Sequence, residues 1–96
     1  MQFVWDERKC ESNIINHGID FADAPRLFSA PMRTVLDIRH DYGEDRWIGI
    51  GLLDNRVVVI AFTEPEEDTV RVISIRRGLP HEQKQYEQYI RQIFGH

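Results

Sequence analysis

The sequence predicts an α+β fold: a mostly antiparallel sheet of four to five strands, with two N-terminal helices and one C-terminal helix packed on one face of it. Three observations carry that expectation. Apolar residues before Pro31 recur at helical spacing between capping residues; the middle of the chain switches to runs rich in Val, Ile and aromatics; helical spacing returns after Pro80.

In order along the chain, Phe3-Val4-Trp5 reads as a short strand or extended arm. Asp6 is placed as an N-cap, with Glu7 in the first turn of a helix over residues 7–16. That helix ends at Asn16-His17-Gly18, where Gly18 can take the left-handed conformation. Asp20 caps a second helix, with Asp23 in the place of a capping-box acid and Phe21, Ala24, Leu27 and Phe28 along one side. Pro31 lies just beyond it. Four strands are expected at Thr34–His40, Arg46–Leu53, Arg56–Thr63 and Thr69–Arg77, with a tight hairpin at Asp54-Asn55. Glu64-Pro65-Glu66-Glu67-Asp68 reads as a turn, too polar and too broken for a strand. Pro80 opens the last helix, where its missing N–H costs nothing, and Tyr86, Ile90, Ile93 and Phe94 form its apolar stripe. Gly49 and Gly51 share one side of their strand, which suggests that a helix approaches closely there.

Ninety-six residues make a single domain, 1–96, and 42% hydrophobic with 29% charged residues excludes disordered and fibrous classes. The N-terminal residues lack the pattern of a secretory signal, and no apolar run approaches the ~20 residues that cross a bilayer. Cys10 is the only cysteine, which excludes an intramolecular disulfide and a multi-cysteine zinc site and makes a reducing, cytoplasmic setting the expectation.

Charge is unevenly distributed. Residues 1–68 carry 7 Lys/Arg against 14 Asp/Glu, a net of −7, whereas residues 69–96 carry 5 against 2, a net of +3; together they make the chain's −4. The basic part begins with Arg71-Val72-Ile73-Ser74-Ile75-Arg76-Arg77. Guanidinium groups on a strand suit phosphate or carboxylate, because their planar fork donates two parallel hydrogen bonds. They suit the protein's own surplus carboxylates equally well. Arg71 and Arg76 are five apart, so on a regular strand they face opposite sides unless a bulge intervenes.

There is no Gly-rich phosphate loop, nucleophile elbow or H-E-x-x-H, and His17, His40, His81 and His96 are not spaced as metal ligands, so neither a metal nor another cofactor is expected. What remains is a set of cations, Lys9, Arg46, Arg71, Arg76 and Arg77, with His17 and acids such as Glu44.

The order of these residues resembles the BrnT toxins, small ribonucleases of bacterial type II toxin–antitoxin pairs whose fold is compared with the RelE group. The matching elements are Trp5-Asp6-Glu7-x-Lys9, Asn13, His17-Gly18-Ile19-Asp20-Phe21, Ala24 and Phe28, Gly43-Glu44-Asp45-Arg46 leading into Trp47-Ile48-Gly49, the Arg71–Arg77 strand, and Glu82 and Tyr86. The resemblance implies a BrnT-like toxin domain that inhibits translation by metal-independent RNA cleavage, the neighbouring 2′-hydroxyl attacking phosphorus. Arg46 and Arg76 would then stabilise the phosphorane, and Arg71 and Arg77 would position the RNA backbone. His17 would act as general base or acid, and Lys9 as acid or phosphate contact. The implied partners are RNA and a BrnA-like, ribbon-helix-helix antitoxin in a hetero-oligomer, with DNA touched only through the antitoxin and no membrane.

Each residue also has a structural reading. His17 is a cation favoured at a helix C-terminus, Lys9 a solvated first-turn residue, and Arg71 and Arg76 members of ion pairs. The rival to the toxin is a non-catalytic interaction module that binds an acidic partner through the basic strand.

Overall fold

The backbone N–H groups of Arg8 and Lys9 donate to the Asp6 side chain, and helix α1 (Glu7–His17) begins there in the computed structural model, which describes residues 1–95. Gly18, at φ +69°, ends α1 by donating its N–H to the Ile14 carbonyl. The second helix is shorter than its apolar spacing suggests. Asp20 accepts from the Ala22 N–H and starts a 3₁₀ turn, Phe21–Asp23, before α2 (Ala24–Phe28). Pro25 has no N–H to donate back to Phe21, so the α-helical ladder cannot begin earlier. Asp23 closes no capping box and pairs with Arg26 instead, at 3.0 Å.

Five strands form one sheet: β1 (Gln2–Val4), β2 (Arg33–Leu36), β3 (Arg46–Leu53), β4 (Arg56–Glu66) and β5 (Thr69–Arg77). Their order is β1-β5-β4-β3-β2, antiparallel throughout except that β1 runs parallel to β5. Asp54 and Asn55 both take positive φ in the hairpin between β3 and β4. Two strand ends differ from expectation. β2 stops at Leu36 because its partner Trp47 is next to the first residue of β3, which leaves residues 38–40 nothing to pair with. β4 continues through Pro65 to Glu66, where the expectation was a turn. Beyond Thr63, β4 has no β3 neighbour, so the missing N–H of Pro65 breaks no ladder on that side. The reversal is confined to Glu67-Asp68, with Asp68 at φ +60°.

The helices divide between the two faces of the sheet; they do not share one face as expected. Val58, Ile60 and Phe62 of β4 pack with Phe21, Ala24 and Leu27, whereas Val59, with Ile50 beside it, packs with Tyr86 of α3 (Pro80–Phe94). The unbroken apolar run Val57–Phe62 explains this, because a strand apolar on both sides needs cover on both. The two strand glycines sit under the first layer. A Cβ on Gly49 would come within 2.8 Å of the Met32 sulfur, and one on Gly51 within 2.8 Å of Leu27 Cδ1.

Candidate active site

The site is organised by two features of β5. The first is its edge. β1 pairs with β5 only as far as Arg71, so the backbone groups of Ile75 are left without a strand neighbour on that side. Asn13 of α1 takes that place: its side-chain amide donates to the Ile75 carbonyl at 2.9 Å and accepts from the Ile75 N–H at 3.1 Å, and it also donates to the Ile19 carbonyl at 2.8 Å. This buried asparagine holds α1 along the sheet edge. Lys9, Ser12, Asn16 and His17 then line a groove with Ile73 and Ser74.

The second feature is a bulge. Ala61 pairs with Ser74 but Phe62 pairs with Val72, so Ile73 is the extra residue. The skipped residue restores parity between Arg71 and Arg76. Arg71 lies opposite Thr63, and Arg46 lies opposite the same Thr63 from the other side, making one row across three strands. Arg76 lies opposite Val59, four residues from Thr63 on β4 and therefore on the same face, the one that carries α3.

Each arginine is held by a neighbour. The Arg76 guanidinium grips Glu82 end-on through two hydrogen bonds of 2.8 Å, and its Nη1 also donates to the Arg77 carbonyl. Glu82, at the third position of α3, accepts the Leu79 N–H as well. Arg76 first, and then the Leu79 N–H, outweigh burial and pull the Glu82 carboxyl down to about 2, while Glu82 raises the Arg76 value. The Nε–H and the remaining Nη2 hydrogen of Arg76 point the same way and have no protein partner among the described residues, so a side-on fork is left for a ligand. Arg71 pairs with Glu44. Arg46 stacks on Tyr42 at 3.9 Å from the ring centroid, and its Nε is buried without a partner among the described residues, as is the Thr63 hydroxyl. Arg39, fixed by two bonds of 2.9 Å to Asp37, is close enough to Arg76 to oppose its charge; the same bonds hold the Asp37 carboxyl well below the usual range.

His17 and Asn16 share a second groove with Arg76, Arg77 and Leu79. The fold thus brings Lys9, His17, Arg76 and Arg77 together along the α1–β5 edge, and sets Arg46 and Arg71 further along the α3 face as a second group. Arg76 is the junction between them. Sequence reasoning missed Arg39 and Tyr42, which lie in an irregular loop with no periodic signal. It also missed the roles of Glu82 and Asn13, which it held only as matching positions. A Glu three residues after Leu79 at a helix start was the one available clue to Glu82. Among the described residues, no three His, Cys, Asp or Glu side chains are grouped to hold a metal ion. His96 lies outside the described residues.

A family model described as the ribonuclease toxin, BrnT, of type II toxin–antitoxin systems matches residues 5–82, from Trp5 to the glutamate that holds Arg76. The chain belongs to the BrnT family. It is accordingly a ribonuclease toxin of a type II toxin–antitoxin system, and an antitoxin is its implied partner. A solved BrnT ribonuclease toxin from Brucella abortus is similar to this chain at 28% identity and a TM-score of 0.65; the likeness covers 82% of this chain and 97% of that one. No curated protein matches. The BrnT match spans every candidate residue, Lys9, His17, Arg46, Arg71, Arg76 and Arg77. Among the described residues no helix is long and apolar enough to cross a membrane.

Proposed function

We propose that this BrnT-family chain cleaves RNA without a metal ion, by attack of the 2′-hydroxyl on the adjacent phosphorus, at the junction formed by Arg76. The observation that carries this reading is the Ile73 bulge, which turns Arg71 and Arg76 to the same face as Arg46. Substrate phosphate would take the free side-on fork of Arg76, while Glu82 holds the planar guanidinium in place. Fixed cations suit a phosphorane, which gathers negative charge as it forms, because they need no reorganisation at that moment. Arg46 would contribute to the same stabilisation, and Arg71 and Arg77 would position the flanking backbone.

The 2′ proton leaves to a base as the oxygen attacks, and the departing 5′-oxygen takes up a proton; the products end in a 2′,3′-cyclic phosphate and a 5′-hydroxyl. His17, beside Arg76 in the shared groove, is available for either transfer, and Lys9 is available as an acid or a phosphate contact. The need for a 2′-hydroxyl restricts cleavage to RNA, and cleavage would inhibit translation. A cognate ribbon-helix-helix antitoxin would silence the chain in a hetero-oligomer and supply any contact with DNA, in a cytoplasmic setting.

A second reading draws on the pairing of Arg71 with Glu44 and of Arg76 with Glu82. On that reading the arginines are structural and the chain binds an acidic partner without turning anything over. Incubating the antitoxin-free chain with a defined single-stranded RNA in EDTA at low salt separates the two, with Arg76→Ala as control. Cyclic-phosphate ends that vanish in the variant support the ribonuclease mechanism. RNA that stays intact, even when ribosomes and magnesium are added, rejects it in favour of the binding module.

A further inference from the structure

A further cavity lies outside the cationic groove. It is a cleft of about 930 Å³ between α3, the β3–β4 hairpin and the end of β5. Its helical wall, from Gln83 to Phe94, lies past residue 82, where the family match ends. Leu52, Val57, Tyr86, Ile90 and Phe94 make it apolar. Two of these are exposed: Phe94 at 60% and Leu52 at 37%. Around them stand three guanidinium groups, Arg56, Arg77 and Arg91, with Glu87 as the one carboxylate of the lining among the described residues. A local excess of positive charge in a chain of net −4 selects the occupant. An RNA strand would meet the cations but leave Leu52, Val57 and Ile90 in water. A neutral apolar ligand would leave the cations unanswered. The pattern fits an amphipathic protein segment that lays apolar anchors along the floor and carries acids on both flanks.

We infer that this cleft is the docking site for an acidic amphipathic segment of the antitoxin. The inference rests on the toxin reading, since that reading is what supplies an antitoxin. Arg77 gives the docking a consequence, because it lines this cleft and also the groove that holds His17 and Arg76. Carboxylates of the docked segment would compete with RNA phosphates for Arg77 and cover the rim of the site, without filling the place of the scissile phosphate. Affinity for the antitoxin and catalysis are therefore separable on this surface.

The test measures antitoxin affinity and RNA cleavage on the same full-length proteins, using the cognate antitoxin as the probe. Leu52→Glu with Phe94→Glu places charge on the apolar floor at exposed positions that the fold tolerates, and Arg91→Glu reverses the rim. Each should weaken antitoxin binding roughly 30-fold or more while RNA cleavage by the free chain stays at the wild-type level. Raising salt should weaken the wild-type complex more than the Arg91→Glu complex. Unchanged antitoxin affinity in both variants overturns the inference. So does a free chain that sediments as a dimer and becomes monomeric on floor substitution with antitoxin binding intact, since the cleft would then seat a second copy. If the wild-type chain leaves RNA uncut yet the variants still lose the antitoxin, the docking site stands and the proposed cleavage mechanism falls.

Discussion

Replacing Glu82 by glutamine keeps the shape of the side chain and removes the charge that Arg76 grips. The wild-type carboxyl sits at about 2 against an ordinary value of 4.5, chiefly because of its hydrogen bonds to Arg76. At about 1.4 kcal/mol per pH unit, that difference corresponds to on the order of 3 kcal/mol of folding free energy. Arg76 is 39% exposed, and water around it screens the pair, which reduces the contribution to about 2 kcal/mol. For a domain of this size, Glu82→Gln should lower the melting temperature by roughly 10 °C at pH 7. The dependence on pH has a definite sign. A carboxyl whose folded value is depressed stabilises the fold above its unfolded value, near 4.5, and that stabilisation is lost as pH falls through about 2. Melting curves of both proteins at pH 7, 5, 3.5 and 2 should therefore show a full gap at the first two, a narrowing gap at the third and almost none at the last. A gap of the same size at pH 2 as at pH 7 would refute the ion-pair account, as would a variant that melts with the wild type at neutral pH.

Three further outcomes follow from particular contacts. Asn13→Ala should cost about 3 kcal/mol in urea unfolding, because it leaves the Ile75 N–H and two buried carbonyls without their partner; a loss below about 1 kcal/mol would mean that water replaces the amide. Gly51→Ala should destabilise by about 1–3 kcal/mol despite the better strand propensity of alanine, since the new methyl would meet Leu27 at 2.8 Å; a neutral effect would show that α2 shifts freely. Arg71→Ala should weaken RNA binding and make the slope of log affinity against log salt shallower by about 0.7, the value for one phosphate contact on a single strand; an unchanged slope in a binding titration would assign Arg71 to Glu44 alone.

Several elements were legible because they depend only on near neighbours. Asp6 and Asp20 cap, Gly18 terminates, Asp54-Asn55 turn and Pro80 opens a helix, each where its own backbone chemistry requires. Other boundaries moved because pairing overrode local preference. β4 runs through Pro65 since no β3 strand remains beside it there, and β2 stops early for want of a partner. The distribution of helices over both faces was readable in the Val57–Phe62 run, whose apolar residues leave neither side of β4 fit for water.

The candidate site divides in the same way. Residue types, spacing and the cationic strand marked Lys9, His17, Arg46, Arg71, Arg76 and Arg77, and the same order of residues carried the family, because both reside in the linear chain. Which of them meet was decided in three dimensions. Whether Arg71 and Arg76 share a face turns on one extra residue, Ile73, and a bulge is defined only by the register of the opposite strand. The carboxylate that holds Arg76 comes from α3, the amide that closes the β5 edge comes from α1, and the ring under Arg46 comes from a loop. The first and last of these are local, six and four residues apart, and await only the fixed ends of β5 and β3; the Asn13–Ile75 contact spans 62 residues, and its free energy exists only once the sheet has brought α1 to that edge.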